Sequence, residues 1–175
     1  MSRVLLVLLV SLLLLFTRTN GSELQREFRV SESVPIGHII GYISGSALIG
    51  LKPTYYIVYP DSTGQVENYI GVDDISGEII VKSGLDYERR TSYDFVAIPV
   101  DGSQAIHVYV RVLDENDNAP TFPVPFVNIE ISEYARLHSE LALPSASDAD
   151  APPLSVDKYR ILSGNVNNAF RFAVR

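Results

Sequence analysis

The sequence predicts an all-β protein: a seven-stranded antiparallel Greek-key sandwich, followed by part of a second copy in tandem. Three observations carry that expectation. Short β-branched and aromatic stretches between residues 27 and 113 are separated by Gly, Pro, Asp and Ser, as in strands joined by tight turns. Residues 105–113 alternate with period two, with Ile106, Val108, Val110 and Val112 on one face and His107, Tyr109 and Arg111 on the other. No stretch carries a helical period of useful length, which leaves sheet packed on sheet as the way to build a core.

The first element is not a strand. Met1-Ser2-Arg3 is a short positive start, an apolar run from Val4 to Phe16 is broken only by Ser11, and Thr17 to Gly21 is polar. Thirteen helical residues rise about 20 Å, short of a hydrocarbon core of about 30 Å. Residues 1–21 therefore read as a secretory signal peptide cut near Gly21. The sequon Asn20-Gly21-Ser22 straddles that cut and is expected to stay unused. Strands are then expected at 28–30, 38–44, 54–59, 69–72, 78–82, 92–100 and 105–113. Asp73-Asp74-Ile75-Ser76-Gly77 and Asp101-Gly102 supply turn chemistry between them. After Pro120 the pattern restarts. Val30-Ser31-Glu32 recurs as Ile131-Ser132-Glu133, and Tyr55 and Ile57 recur as Tyr159 and Ile161. The expected organisation is a signal at 1–21, one repeat at 22–119 and an incomplete second repeat at 120–175.

Composition narrows the function. Formal net charge is −7, and −9 once residues 1–21 with Arg3 and Arg18 are set aside, which argues against a partner made of phosphates. There are no cysteines, so disulfides, thiol nucleophiles and thiolate zinc sites are excluded. A secreted domain without sulfur commonly gains its staple from a metal, and the acids should then be clustered. They are. Asp114-Glu115-Asn116-Asp117-Asn118 places five oxygen-bearing side chains in a row before Ala119-Pro120, where the two copies join. Two like charges about 4 Å apart repel by up to about 4 kcal/mol at an effective dielectric near 20, and a hard divalent cation relieves that. Glu32 on the first strand, Asp86 and Glu88 before the sixth, and Asp148 and Asp150 early in the second copy are expected to converge on the same junction.

Glu32-x-x-Pro35-x-Gly37, Asp73-x-x-x-Gly77-x-Ile79, Leu85-Asp86-Tyr87-Glu88, Tyr93-x-Phe95, Asp101-x-Ser103, Asp114-x-Asn116-Asp117-Asn118-x-Pro120-x-Phe122 and Asp148-x-Asp150 occur in that order. This series resembles cadherin repeats, over essentially all of residues 27–172. The resemblance implies a cadherin-like, immunoglobulin-like sandwich and about three calcium ions at the junction. It implies Glu32, Asp86, Glu88 and Asp117 around the outer pair, with Asp114 and the Glu115 carbonyl adding to the inner one. Asp150 would bridge from the second repeat. Asn116, the Asn118 carbonyl, Asp148 and Asp150 would serve a third ion, whose set in the family also draws on a carboxylate from later in the second repeat.

Departures from the family pattern are informative. The family's Gly-x-Asn after Asp-x-Asp is replaced by Ala151-Pro152-Pro153-Leu154-Ser155, and the first repeat reads Ser44 to Gly50 where an Asp-x-Asp is expected. The latter fits an outermost repeat behind a signal. Strand-swapping members use an N-terminal Trp and clustered protocadherins a Cys pair; neither residue type is present, so the chain is more similar to the many-repeat Dachsous or Fat type.

The function this implies is calcium-dependent cell–cell adhesion by binding another cadherin on an apposed cell, homophilic or heterophilic. Calcium would stiffen the two repeats, and a C-terminal region outside this chain would anchor the protein on the extracellular side of the plasma membrane. A secreted decoy for adhesion receptors and a calcium-dependent carbohydrate-binding sandwich are the alternatives. Paired carboxylates can serve glycoside hydrolysis, but here they match calcium-ligand spacing, so no enzyme is expected. His38, His107 and His138 lack metal spacing and read as surface or packing residues. Val96, Ile98 and Val100 are read either as packing or as an exposed apolar strip.

Overall fold

A computed structural model describes residues 24–45, 50, 54–60 and 65–173. The expected signal peptide, the sequon at Asn20 and part of the 44–50 segment lie outside these residues. The chain divides between Asp114 and Glu115 into two compact units, inside the same acidic run that ends the first expected repeat.

The first unit is a sandwich of seven strands: β1 (Leu24–Ser31), β2 (Ile39–Tyr42), β3 (Tyr55–Val58), β4 (Ile70–Val72), β5 (Glu78–Val81), β6 (Ser92–Pro99) and β7 (Ile106–Leu113). A single-turn helix, α1 (Val66–Tyr69), precedes β4; too short for a periodic signal, it escaped the sequence pattern. One sheet runs β1-β7-β6-β3 and the other β2-β5-β4. Every pairing is antiparallel except β1 with β7, which run parallel from Leu24 opposite Ile106 to Ser31 opposite Leu113. The parallel pair departs from the antiparallel expectation. It also brings the exits of the first and last strands to one end, and the Glu32 N–H extends the ladder to the Leu113 carbonyl at 3.2 Å.

The period-two faces meet in one core. Val30, Ile43, Tyr55, Ile70, Ile79, Val81, Tyr93, Phe95, Val108 and Val110 are buried there, together with Val66 of α1. Gly41 on β2 leaves room for a ring: a Cβ there would stand 2.5 Å from Cε1 of the half-buried Phe28, which would have to shift. The β4–β5 turn forms as its residues predict. Asp73 Oδ1 accepts the Ser76 N–H at 2.6 Å and the Ile75 N–H at 3.1 Å, and Gly77 takes a φ of +73°. Asp101 likewise accepts the Ser103 N–H at 2.9 Å, the turn role expected of it. Val96 is buried against Val58 across the β3–β6 pair, so it packs, whereas Val100 is 47 % exposed.

The second unit is built differently. Among its described residues there is one isolated bridge, Thr121 with Ser147, and a 3-10 turn at Val166–Asn168. Residues 131–133 and 159–161, which match strand residues of the first copy, lie in irregular chain. An apolar strand face becomes stable only when a second layer covers it. Here Phe126, Tyr134, Leu137 and Leu162 are each more than 80 % exposed, so that layer is not assembled among the described residues. What order there is gathers beside the bridge, where Tyr159 lies between Phe122 and Phe172 with centroids 6.0 and 5.6 Å away.

Candidate functional site

In the first unit the parallel β1–β7 pair sets the geometry. Glu32 leaves β1 where Asp114 leaves β7, and Glu88 sits in the turn that leads into β6. Carboxylate oxygens of Glu32, Glu88 and Asp114 all lie within 4.8 Å of one another. Glu32 is buried, and its Oε2 accepts the Tyr87 N–H at 2.6 Å, which ties the β1 exit to the turn carrying Glu88. Such a charge-assisted bond holds the carboxylate in one orientation. Asp86 works within its own turn: Oδ1 accepts the Arg89 N–H and its carbonyl accepts the Arg90 N–H, both at 2.9 Å. It caps the turn that presents Glu88 and stands outside the three-carboxylate group. The Arg90 guanidinium lies over the Tyr93 ring, 4.7 Å from its centroid.

In the second unit the Thr121–Ser147 bridge is the organising contact. Its two N–H···O bonds of 2.8 Å lay residues 115–121 beside 147–154. Asn118 then meets Asp150: its Nδ2 donates to Asp150 Oδ1 at 2.8 Å and to Asp117 Oδ1 at 2.7 Å, and its backbone N–H donates to Asp150 Oδ1 at 3.3 Å. The Asp150 N–H donates to Asp148 Oδ1 at 3.1 Å, the Glu115 backbone carbonyl accepts the Asp117 N–H at 2.9 Å, and Asn116 Nδ2 reaches the Leu154 carbonyl at 3.5 Å. Asp150 is 3 % exposed, and its second oxygen, Oδ2, is buried without a hydrogen-bond partner.

The structure thus assembles Glu32, Glu88 and Asp114 in one unit, and Asp117, Asn118, Asp148 and Asp150 in the other. Sequence reasoning missed two contributors, the Tyr87 backbone amide and the Asn118 side chain as a donor to two acids. The amide carries no residue-type signal, but Asn beside Asp in 117–118 is one for the side chain. Among the described residues the buried polar or charged side chains are Glu32 and Asp150, both of them candidate site residues. Burying a carboxylate is costly unless it is paired or meets a cation. Every side-chain donor toward an ion in this set is oxygen, which suits a hard cation such as calcium.

No protein-family model matches the chain. Protein dachsous of Drosophila melanogaster is 40% identical over 171 residues, covering 96% of this chain and 5% of that protein. Protocadherin-16 of Rattus norvegicus is 34% identical over 173 residues, with 96% of this chain and 5% of the relative covered. The chain therefore spans about a twentieth of the length of these curated relatives. Among solved structures, the protocadherin gammaB7 EC3-6 cis-dimer is 25% identical with a TM-score of 0.56, covering 77% of this chain and 31% of that one. These relatives are adhesion proteins and not enzymes. From the ordered motifs, the 4 + 3 sandwich and these similarities, the chain belongs to the cadherin family.

Proposed function

We propose that this chain is the extracellular part of a calcium-dependent cell–cell adhesion protein that binds another cadherin on an apposed cell. Residues 1–21 act as its secretory signal, 22–119 form one repeat and 120–175 belong to a second. The calcium oxygens come from Glu32, Asp86, Glu88, Asp114, Glu115, Asn116, Asp117, Asn118, Asp148 and Asp150. One observation carries the reading above the others: Asp150 is a buried carboxylate with one oxygen clamped by Asn118 and the other without a hydrogen-bond partner. A group left in that state costs several kcal/mol unless a cation completes it.

Bound calcium supplies positive charge to the acidic run. The chain's own residues orient the oxygens: the Tyr87 N–H holds Glu32, the turn capped by Asp86 presents Glu88, and Asn118 aligns Asp117 with Asp150. Neutralising 114–118 stiffens the segment that connects the repeats, so that partner-binding faces are presented in a fixed way. Extracellular calcium modules bind at about 10⁻⁴ to 10⁻³ M, so the sites fill outside cells.

The test is thermal melting and protease resistance with added calcium and with chelator, alongside aggregation of beads coated with the protein. Calcium should raise all three and chelator should reverse them. Asp117→Ala is expected to remove most of the calcium increment, and an unchanged increment would refute the ligand assignment.

A further inference from the structure

The acidic run needs something to hold its carboxylates together before an ion arrives, and the second unit contains a candidate. Asp117 and Asp150 come from segments 33 residues apart, each carrying a negative charge. Their Oδ1 atoms lie 2.7 and 2.8 Å from one nitrogen, Nδ2 of Asn118. A primary amide has two N–H donors on that nitrogen, so it can serve two acceptors at once without adding charge. The Asn118 backbone N–H reinforces the contact to Asp150 at 3.3 Å. A second observation is independent of the clamp: Asp150 is 3 % exposed, yet its Oδ2 is buried with no hydrogen-bond partner.

We infer that Asn118 acts through its side-chain amide as a positioning residue, cross-bracing Asp117 and Asp150 by their Oδ1 atoms so that Asp150 Oδ2 stays available to a divalent cation. This role is separate from the backbone carbonyl that the family resemblance assigns to Asn118. It rests on the calcium reading above. No other residue type of that size serves equally. Asp lacks the donors and adds a third charge, while Ala and Gly leave two carboxylates facing each other. Ser keeps one short donor and can brace one acid at a time. The amide lowers the cost of holding like charges together, so the ion meets a prepared pair and does not have to gather it.

Calcium titration of the whole chain by calorimetry, with melting in chelator and in saturating calcium, separates the possibilities. Asn118→Ala keeps the main-chain carbonyl and removes only the brace. It should weaken calcium binding about tenfold or more, the usual cost of losing an orienting partner, and narrow the melting gap between calcium-saturated and calcium-free protein. Asn118→Ser should fall between Ala and the parent in affinity. If Asn118→Ala lowered both melting temperatures in parallel and left the affinity unchanged, the side chain would be a structural contact and the inference would fail. Equal affinity for the Ser and Ala variants would fail it too, because one remaining donor would then have done nothing. If the parent chain itself took up no calcium, the failure would belong to the calcium reading and not to the brace alone.

Discussion

Replacing Glu32 by Gln makes a sharp test, because it changes charge while conserving shape and one hydrogen bond. The carboxamide oxygen can still accept the Tyr87 N–H now held at 2.6 Å, so the link between the β1 exit and the Glu88 turn survives. What disappears is one of three negative charges whose oxygens lie within 4.8 Å of each other. At that separation a like-charged pair costs about 1 kcal/mol in a water-like dielectric and about 3 kcal/mol at an effective value of 20. Glu32→Gln removes two of the three pairs, so about 2 kcal/mol is released even at the solvated limit. Half of that would raise the melting temperature of a domain this size by about 4–8 °C. In chelator, then, the variant should melt above the parent. In saturating calcium the order should reverse, because the ion has lost a charged ligand and stabilises the variant less. The assay is differential scanning calorimetry in both conditions at neutral pH. A variant that melts below the parent in chelator, with its calcium increment intact, would sink the argument that this group is a repulsive cluster relieved by a cation.

Two further predictions concern the scaffold. Burial holds the Tyr59 phenol neutral, with the nearby Glu67 charge adding to it, and its pKa is pushed up to about 12 from an ordinary 10.0. The unfolded chain ionises first, so stability should fall as pH rises from about 10 to about 12. Tyr59→Phe should flatten that alkaline limb in urea unfolding curves, while an unchanged limb would assign it to other tyrosines. Gly41→Ala drives a methyl to within 2.5 Å of the Phe28 ring and should cost about 1–3 kcal/mol. Combined with Phe28→Leu the two costs should be less than additive, and strict additivity would show that the ring is not what excludes the side chain.

Much of the first unit was readable residue by residue. Period-two alternation located β7 to within a residue, and Asp73 through Gly77 formed the turn that those residue types favour. These are local matters: a strand's buried face and a turn's φ values are set by residues within a few positions of each other. The ordered acidic motifs were legible for the same reason. Asp86 shows the boundary. Its sequence motif marks it as an acid near the site, but only the bond to the Arg89 N–H shows that it caps the turn presenting Glu88. Val96 shows it again, since no feature of β6 alone says that Val58 will lie across from it.

The second unit separates the two sources of information most clearly. Its matches at Ile131 and Tyr159 are sequence facts, yet both side chains stay partly exposed: Tyr159 meets the Phe122 and Phe172 rings, and no strand pairing forms around Ile131 among the described residues. The sequence on its own determined that this is an acidic, cysteine-free chain whose first part alternates as strands do and whose carboxylates are gathered in a few motifs. Tertiary structure alone decided that β1 runs parallel beside β7, which carries Glu32 to Asp114, and that the Thr121–Ser147 bridge carries Asn118 to Asp150. The reason is physical. Chain-local preferences are written in residue types, whereas contacts across tens of residues depend on which surfaces find a partner and on backbone amides that every residue shares.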